Sequence, residues 1–145
     1  MVVIQNIIHD SSINEYDLSN TLQEVIKELD RGESELLIRL VNETEIKNLN
    51  KVYRHQDKLT NVLSFQSDLP IEIDEAVLGD VVICTQVVLK ESIEQHKSFN
   101  NHLTHMAIHG MLHLLGYDHI DTKDAQQMEN LEIKILAKIG INNPY

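Results

Sequence analysis

The chain has a single cysteine, Cys84, and therefore cannot form an internal disulfide. Its 145 residues contain no internal repeat, no low-complexity tract and no linker rich in glycine, proline or serine. No apolar run approaches the roughly 20 residues that a transmembrane helix needs. The first residues also lack the basic region and cleavage site of a secretory signal. We therefore expect one domain spanning residues 1–145, in the cytoplasm and without a membrane partner.

The net charge of −11 argues against a protein that coats nucleic acid without selectivity. Residues 1–45 contain ten acids and three bases, whereas residues 47–58 are locally basic. Such a segment can bind phosphate while the acidic remainder repels other polyanions, although a solvated helix face has the same composition. Its charged residues are Lys47, Lys51, Arg54 and Lys58, against Asp57 alone.

Hydrophobic spacing predicts four strands separated by helices. The strands are expected at Val2–His9, Glu35–Val41, Asn61–Phe65 and Val77–Cys84, with an acidic loop containing Pro70 between the last two. The helices are expected at 18–29, Glu43–Tyr53, Thr85–Lys97, Asn100–Leu115 and Asp121–Ile139. This order predicts an α+β fold, a mixed sheet of about four strands covered by helices.

Three details of these helices are also predicted. Asp17 or Ser19 caps the first helix, and Gly32 lies just past its end. The second helix turns Ile46, Leu49 and Val52 toward the core.

The feature that indicates chemistry is a run of histidines near the end of the predicted fourth helix. His109 and His113 are four residues apart, so their side chains lie about 40° apart around the helix and about 6 Å along it. Gly116 can adopt the left-handed conformation that ends a helix, and the turn would carry His119 back toward the first two. Three neutral imidazoles without a fourth strong ligand describe an open site for one zinc ion, and open sites are usually catalytic.

His102 and His105 extend the same helical stripe, and His105 with His109 repeats the four-residue spacing. Only His109 and His113 are near enough to the turn for His119 to join them. We leave open whether His102 and His105 support the ligands, face a substrate or lie exposed. The metal is open too, because three imidazoles also accept nickel and copper.

The spacing His-x-x-x-His-x-x-Gly-x-x-His is that of the metzincin zinc proteases, with one difference. Those enzymes place a glutamate after the first histidine as general base, whereas this chain has Gly110. The frame therefore supports a zincin-like metal helix but not that peptidase mechanism. A glycine here reflects close approach of a substrate or another backbone, or simple tolerance of a residue that costs about 1 kcal/mol in a helix.

Together with the run from Tyr53 to Phe65, YRHQDKLTNVLSF, the histidine run closely resembles the YbeY family of bacterial rRNA maturation factors. Leu78-Gly79-Asp80-Val81 and Met128-Glu129-Asn130-Leu131-Glu132 add to the resemblance, which covers most of the chain after residue 50. The family consists of metal-dependent endoribonucleases specific for single strands. It implies a role in 16S rRNA 3′-end maturation and late ribosome quality control, with ribosomal proteins or GTPases as possible partners.

The resemblance implies that His109, His113 and His119 bind zinc and that Arg54 is functionally essential. Zinc can activate water and polarise a phosphoryl oxygen, and a guanidinium can hold two phosphate oxygens. We therefore expect Arg54 to clamp the scissile phosphate. Water or the RNA 2′-hydroxyl is the attacking group. Asp118 is a base, or it orients an imidazole or caps the turn.

Two other functions compete with this one. A non-enzymatic ribosome assembly factor would hold a structural metal, but such sites usually have four protein ligands. A metallopeptidase-like hydrolase is disfavoured by Gly110.

Overall fold

The computed structural model describes residues 1–67 and 77–145, so the predicted acidic loop with Pro70 lies outside the described residues. The strands are β1 (Val2–Asn6), β2 (Glu35–Val41), β3 (Val62–Gln66) and β4 (Val77–Cys84). The helices are α1 (Glu15–Glu28), α2 (Glu43–Arg54), α3 (Thr85–Glu94), α4 (Phe99–Leu114) and α5 (Thr122–Lys138). In this part of the chain no helix has the length and apolar character needed to cross a bilayer.

The four strands form one mixed sheet in the order β1-β2-β4-β3. β1, β2 and β4 run parallel, and β3 pairs antiparallel with β4 at the edge. The predicted α+β class and four-stranded mixed sheet are thereby confirmed. β2 and β4 are central and bury apolar side chains on both faces, so helices must cover both sides of the sheet.

Alternate residues of β4 divide the core into two parts. Val81 and Ile83 belong to the larger cluster, formed with α1, α4 and α5. Val82 and Cys84 face the opposite side, where Ile46 of α2 joins them. Helix α4 thus lies against one face of the sheet and α2 against the other, with the edge strand β3 between them.

Several element ends differ from the predictions. β1 stops at Asn6, and His9 has a left-handed backbone with φ of 53° where the chain turns. The side chain of Asn14, rather than Asp17 or Ser19, caps α1 by accepting from the Asp17 N–H. Gly32 does not directly follow the end of α1 as predicted. Asp30, nearer to the helix, takes the left-handed position there with φ of 60°.

The predicted inward face of α2 is only partly correct. Ile46 is fully buried and Leu49 packs beside it, but Val52 is 54% exposed. The inward residue of that last turn is Asn50, whose side-chain amide donates to the Lys58 carbonyl at 3.0 Å. The helix therefore ends by fixing the following loop, and a polar contact replaces the predicted apolar one.

Gly110 allows α4 to lie close to the sheet. A Cβ at this position would be 2.6 Å from Val81 Cγ1 and 3.0 Å from Ser64 Oγ. The Ser64 hydroxyl donates to the Gly110 carbonyl at 2.8 Å. Close approach is thus the reason for this glycine, but sheet side chains make the approach rather than a substrate or another backbone.

We expect Gly110→Ala to lower the free energy of unfolding by about 1–3 kcal/mol, because crowding outweighs the better helix propensity of alanine. Denaturant unfolding measures this change. The matched control is Gly32→Ala, whose Cβ would have its nearest neighbour at 3.8 Å and should be tolerated. Equal stabilities of the two variants would contradict the packing explanation.

Candidate metal centre

The turn after α4 has the geometry predicted from Gly116. Gly116 has φ of 98°, and its N–H donates to the His113 carbonyl at 3.1 Å. The Tyr117 N–H donates to the Leu112 carbonyl at 3.0 Å. These two bonds form a Schellman motif, which closes the helix and reverses the chain. The reversal returns His119 to the end of the helix.

His109 and His113 point their Nε2 atoms at each other, 3.1 Å apart. The opposite nitrogen of each ring has its own acceptor: His109 Nδ1–H donates to Glu132 Oε1 at 2.6 Å, and His113 Nδ1–H to the Tyr117 carbonyl at 3.1 Å. A neutral imidazole carries only one N–H. When both rings are neutral, both Nε2 atoms therefore present lone pairs to the same point.

His119 completes the group from the loop. Its ring centroid lies 5.6 Å from that of His109 and 5.0 Å from that of His113. One nitrogen from each of the three rings lies within 4.8 Å of the others. His109 and His113 are half-buried and His119 is exposed, so the group faces solvent.

This donor set fits a zinc ion. Burial lowers the pKa of His113, and the neighbouring His109 and His119 lower it further, so the ring is neutral and free to coordinate. Two facing lone pairs repel each other unless a cation or a shared proton lies between them. Zn–N bonds of about 2.0–2.1 Å in a tetrahedral site place ligand nitrogens roughly 3.3 Å apart, close to the 3.1 Å between the two Nε2 atoms.

Glu132 is the residue of this site to which sequence reasoning gave no role. Its side chain is fully buried and accepts from His105, His109 and Tyr145. Burial raises the pKa of Glu132, but the hydrogen bonds from the two histidines outweigh it and bring the value to about 2. The signal was present in the sequence, because Glu132 lies on the apolar stripe of α5 with Met128 and Leu136.

His102 and His105 are buried, not exposed, and neither belongs to the three-histidine group. His102 Nε2 lies 3.0 Å from Glu91 Oε1, and His105 Nε2 lies 2.8 Å from Glu132 Oε2. In a second set of close donors, His105, His109 and Glu132, the carboxylate already accepts an N–H from each of the two imidazoles. The three-histidine group is therefore the better candidate for a metal.

Arg54 lies at the end of α2, beside β3. Its Nη2 donates to the Ser64 carbonyl at 2.6 Å, its Nη1 lies 3.4 Å from the Tyr53 carbonyl, and its guanidinium carbon is 4.9 Å from the centre of the Phe65 ring. Its side chain is exposed to solvent. A guanidinium has five N–H donors, so most remain free of the described residues.

A groove of about 780 Å³ is lined by Arg54 and by His113, one member of the histidine group. It runs between the end of α2, the edge strand β3 and the end of α4. His113 forms part of its wall, as does Asp80 of β4. The lining residues are Arg39, Leu49, Tyr53, Arg54, Ser64, Phe65, Gln66, Ser67, Val77, Gly79, Asp80, His113 and Leu114.

The side chain of Asp118 hydrogen-bonds to the backbone of the turn rather than to an imidazole ring. Its Oδ1 accepts the backbone N–H of His119 at 2.7 Å, and its side chain is exposed. The carboxylate therefore stabilises the loop that presents His119.

The comparison with protein families matches residues 3–140 to the family described as "Endoribonuclease YbeY". The chain belongs to the YbeY family. A YbeY relative from Vesicomyosocius okutanii, named endoribonuclease YbeY, is 78% identical over 145 residues and is covered completely, as is this chain. Another of that name, from Pseudomonas putida, is 54% identical over 79% of this chain and 73% of its own length. The expected family and nuclease class are thereby confirmed.

The YbeY chain also has a solved structural neighbour, the solution structure of TM1509 from Thermotoga maritima. The two share 29% sequence identity with a TM-score of 0.64, over 96% of this chain and 91% of the other. The match covers nearly the whole chain, so the assignment of the fold does not rest on the histidine run alone.

Proposed function

We propose that this YbeY chain is a zinc-dependent endoribonuclease that cleaves single-stranded RNA, with His109, His113 and His119 as the metal ligands. The observation that supports it most is the pair of Nε2 atoms 3.1 Å apart, each with its opposite nitrogen already hydrogen-bonded. A bound zinc ion supplies a Lewis acid that activates water and polarises a phosphoryl oxygen. With three protein ligands, one coordination position is left for the reactants.

Arg54 is the group we propose for the phosphate. Its bonds to Ser64 and Tyr53 and its stacking on Phe65 fix the guanidinium at the rim of the groove that His113 also lines. The remaining N–H donors can hold phosphate oxygens where negative charge builds up during attack at phosphorus. Because the guanidinium is held before RNA binds, little side-chain entropy is lost on binding.

The groove favours a single strand over a duplex. It lies between a helix end and a strand edge, and its polar and aromatic walls suit a flexible backbone with unstacked bases. The exposed lysines of the basic segment, Lys47, Lys51 and Lys58, lie on α2 or just beyond it. These charges can attract RNA to the groove despite the acidic remainder of the chain.

The proposal is tested with one RNA in two forms, as a free single strand and annealed to its complement, with zinc and with a chelator. Cleavage of the free strand alone, and only with metal, is the expected result. Equal cleavage of both forms would contradict strand selectivity, and unchanged cleavage in chelator would contradict the metal. The product ends distinguish attack by the 2′-hydroxyl, which leaves a cyclic phosphate, from attack by water.

Tyr53 is expected to stack on a base of the bound strand. It is 57% exposed and lines the groove, and its ring packs edge-on against Phe65 with centroids 5.4 Å apart. Tyr53→Ala should weaken single-strand binding by about 1–3 kcal/mol, the contribution of one stacked base. Binding is measured with metal-free protein, and Tyr16→Ala, exposed but outside the groove, is the matched control. Equal affinities of the two variants would contradict stacking.

The metallopeptidase alternative is disfavoured because there is no room for the glutamate that would act as general base. The space beside Gly110 is filled by Val81 and Ser64, so a glutamate could not fit there without moving the helix off the sheet. A purely structural metal is disfavoured because the three-histidine group is partly exposed and, within residues 1–67 and 77–145, offers three donors rather than four.

We propose precursor 16S rRNA as the natural substrate, in the cytoplasm and on the ribosome, with ribosomal proteins or GTPases as possible partners. Family membership supports this proposal. Mapping of 16S rRNA 3′ ends in cells lacking the chain, with and without its restoration, is the test. Unchanged ends would contradict it.

A further inference from the structure

The segment after α5 returns to the metal centre through Tyr145. The Tyr145 hydroxyl donates to Glu132 Oε2 at 2.6 Å, and its ring stands edge-on to His105 with centroids 5.6 Å apart. Lys97 Nζ fixes this segment by donating to the Pro144 carbonyl at 2.9 Å. Tyr145 thus reaches a carboxylate buried under the candidate ligands, although 58% of the residue is exposed.

The two oxygens of Glu132 serve different partners. Oε2 accepts from Tyr145 and from His105 Nε2 at 2.8 Å, whereas Oε1 accepts from His109 Nδ1 at 2.6 Å. The two donors on Oε2 fix the rotation of the carboxylate. That rotation directs Oε1 at His109, which keeps the proton on Nδ1 and the lone pair on Nε2.

We propose that Tyr145 is a positioning residue for the metal ligand His109 and acts through Glu132. The inference rests on the proposed metal site. A carboxylate bonded to a histidine ligand fixes its tautomer and strengthens its donor nitrogen, and losing such a partner typically weakens metal binding by 10–100-fold. Tyr145 extends this support by one hydrogen bond, from a segment that contributes no ligand.

The test measures zinc affinity by competition with a chelator for the wild type, Tyr145→Phe, Glu132→Gln and the control Tyr16→Phe. Tyr145→Phe removes only the hydroxyl, so we expect about threefold to tenfold weaker binding. Glu132→Gln should weaken it by about 10–100-fold. Tyr16 lies exposed on α1, and its replacement should leave the affinity unchanged.

A second measurement distinguishes a positioning role of Tyr145 from an effect on the stability of the protein. In metal-free protein, the imidazole N–H signal of His109 reports its hydrogen bond to Glu132, and it should shift in Tyr145→Phe while the unfolding midpoint stays close to wild type. Unchanged zinc affinity of Tyr145→Phe together with an unshifted His109 signal would overturn this inference but not the proposed function. A fall in affinity that Tyr16→Phe reproduces would do the same. A wild-type chain that binds no zinc would overturn the proposed function as well.

Discussion

Replacing His119 with asparagine is expected to abolish metal-dependent RNA cleavage while leaving the fold intact. His119 is exposed on the loop after α4, and no described contact of its ring other than those with His109 and His113 supports the structure. An amide is a far weaker zinc ligand than an imidazole. With two ligands left, the site should lose zinc at concentrations that saturate the wild type.

The matched control for this variant is His96→Asn. His96 is exposed and has a left-handed backbone with φ of 55°, a conformation that asparagine tolerates. Metal content, cleavage of a single-stranded RNA and the unfolding midpoint of metal-free protein are measured for both variants. Full cleavage by a folded His119→Asn protein would exclude His119 as a ligand, and loss of cleavage by His96→Asn would show that the assay is not specific.

Replacing Arg54 with alanine is expected to lower the cleavage rate by about a hundredfold, the usual loss when one stabilising charge is removed from a transition state. Zinc content should not change, because Arg54 contacts Ser64, Tyr53 and Phe65 rather than the histidines. Single-turnover cleavage, with the protein in excess of the RNA and of the dissociation constant, measures the chemical step without the binding step.

Two further variants define what Arg54 contributes. Arg54→Lys keeps the charge but not the planar fork, so it should restore only part of the rate. Arg31→Ala removes an exposed arginine outside the groove and should leave the rate unchanged. Near-normal cleavage by zinc-loaded Arg54→Ala would contradict the phosphate clamp.

The fold was predictable where short-range patterns determine it. β2 and β4 are mostly apolar runs, interrupted by Arg39 and Asp80, so their ends could be read from the sequence as they stand in the structure. Helix ends were less predictable, because several residues can cap the same turn: Asn14 rather than Asp17 or Ser19 caps α1. Val52 fits the helical period of α2, but it lies on the side of the helix away from the sheet and is therefore exposed.

The convergence of the three histidines followed from two local features, the four-residue spacing and Gly116. The hydrogen bonds that support these histidines could not be predicted from local features, because they depend on how α5 packs against α4. His105 lies on a stripe that also fits an exposed face, and only the position of Glu132, 27 residues later, makes it a buried donor. Tyr145 reaches the same carboxylate from a segment without regular structure, which no periodicity could indicate.

The central claim is tested most directly by anomalous diffraction at the zinc edge from a crystal of this chain grown with zinc. We predict one peak within about 2.0–2.1 Å of a nitrogen from each of His109, His113 and His119, with no fourth protein ligand. A peak bound instead by His105 and Glu132, a fourth protein group on the ion, or no peak at the three histidines would contradict the account.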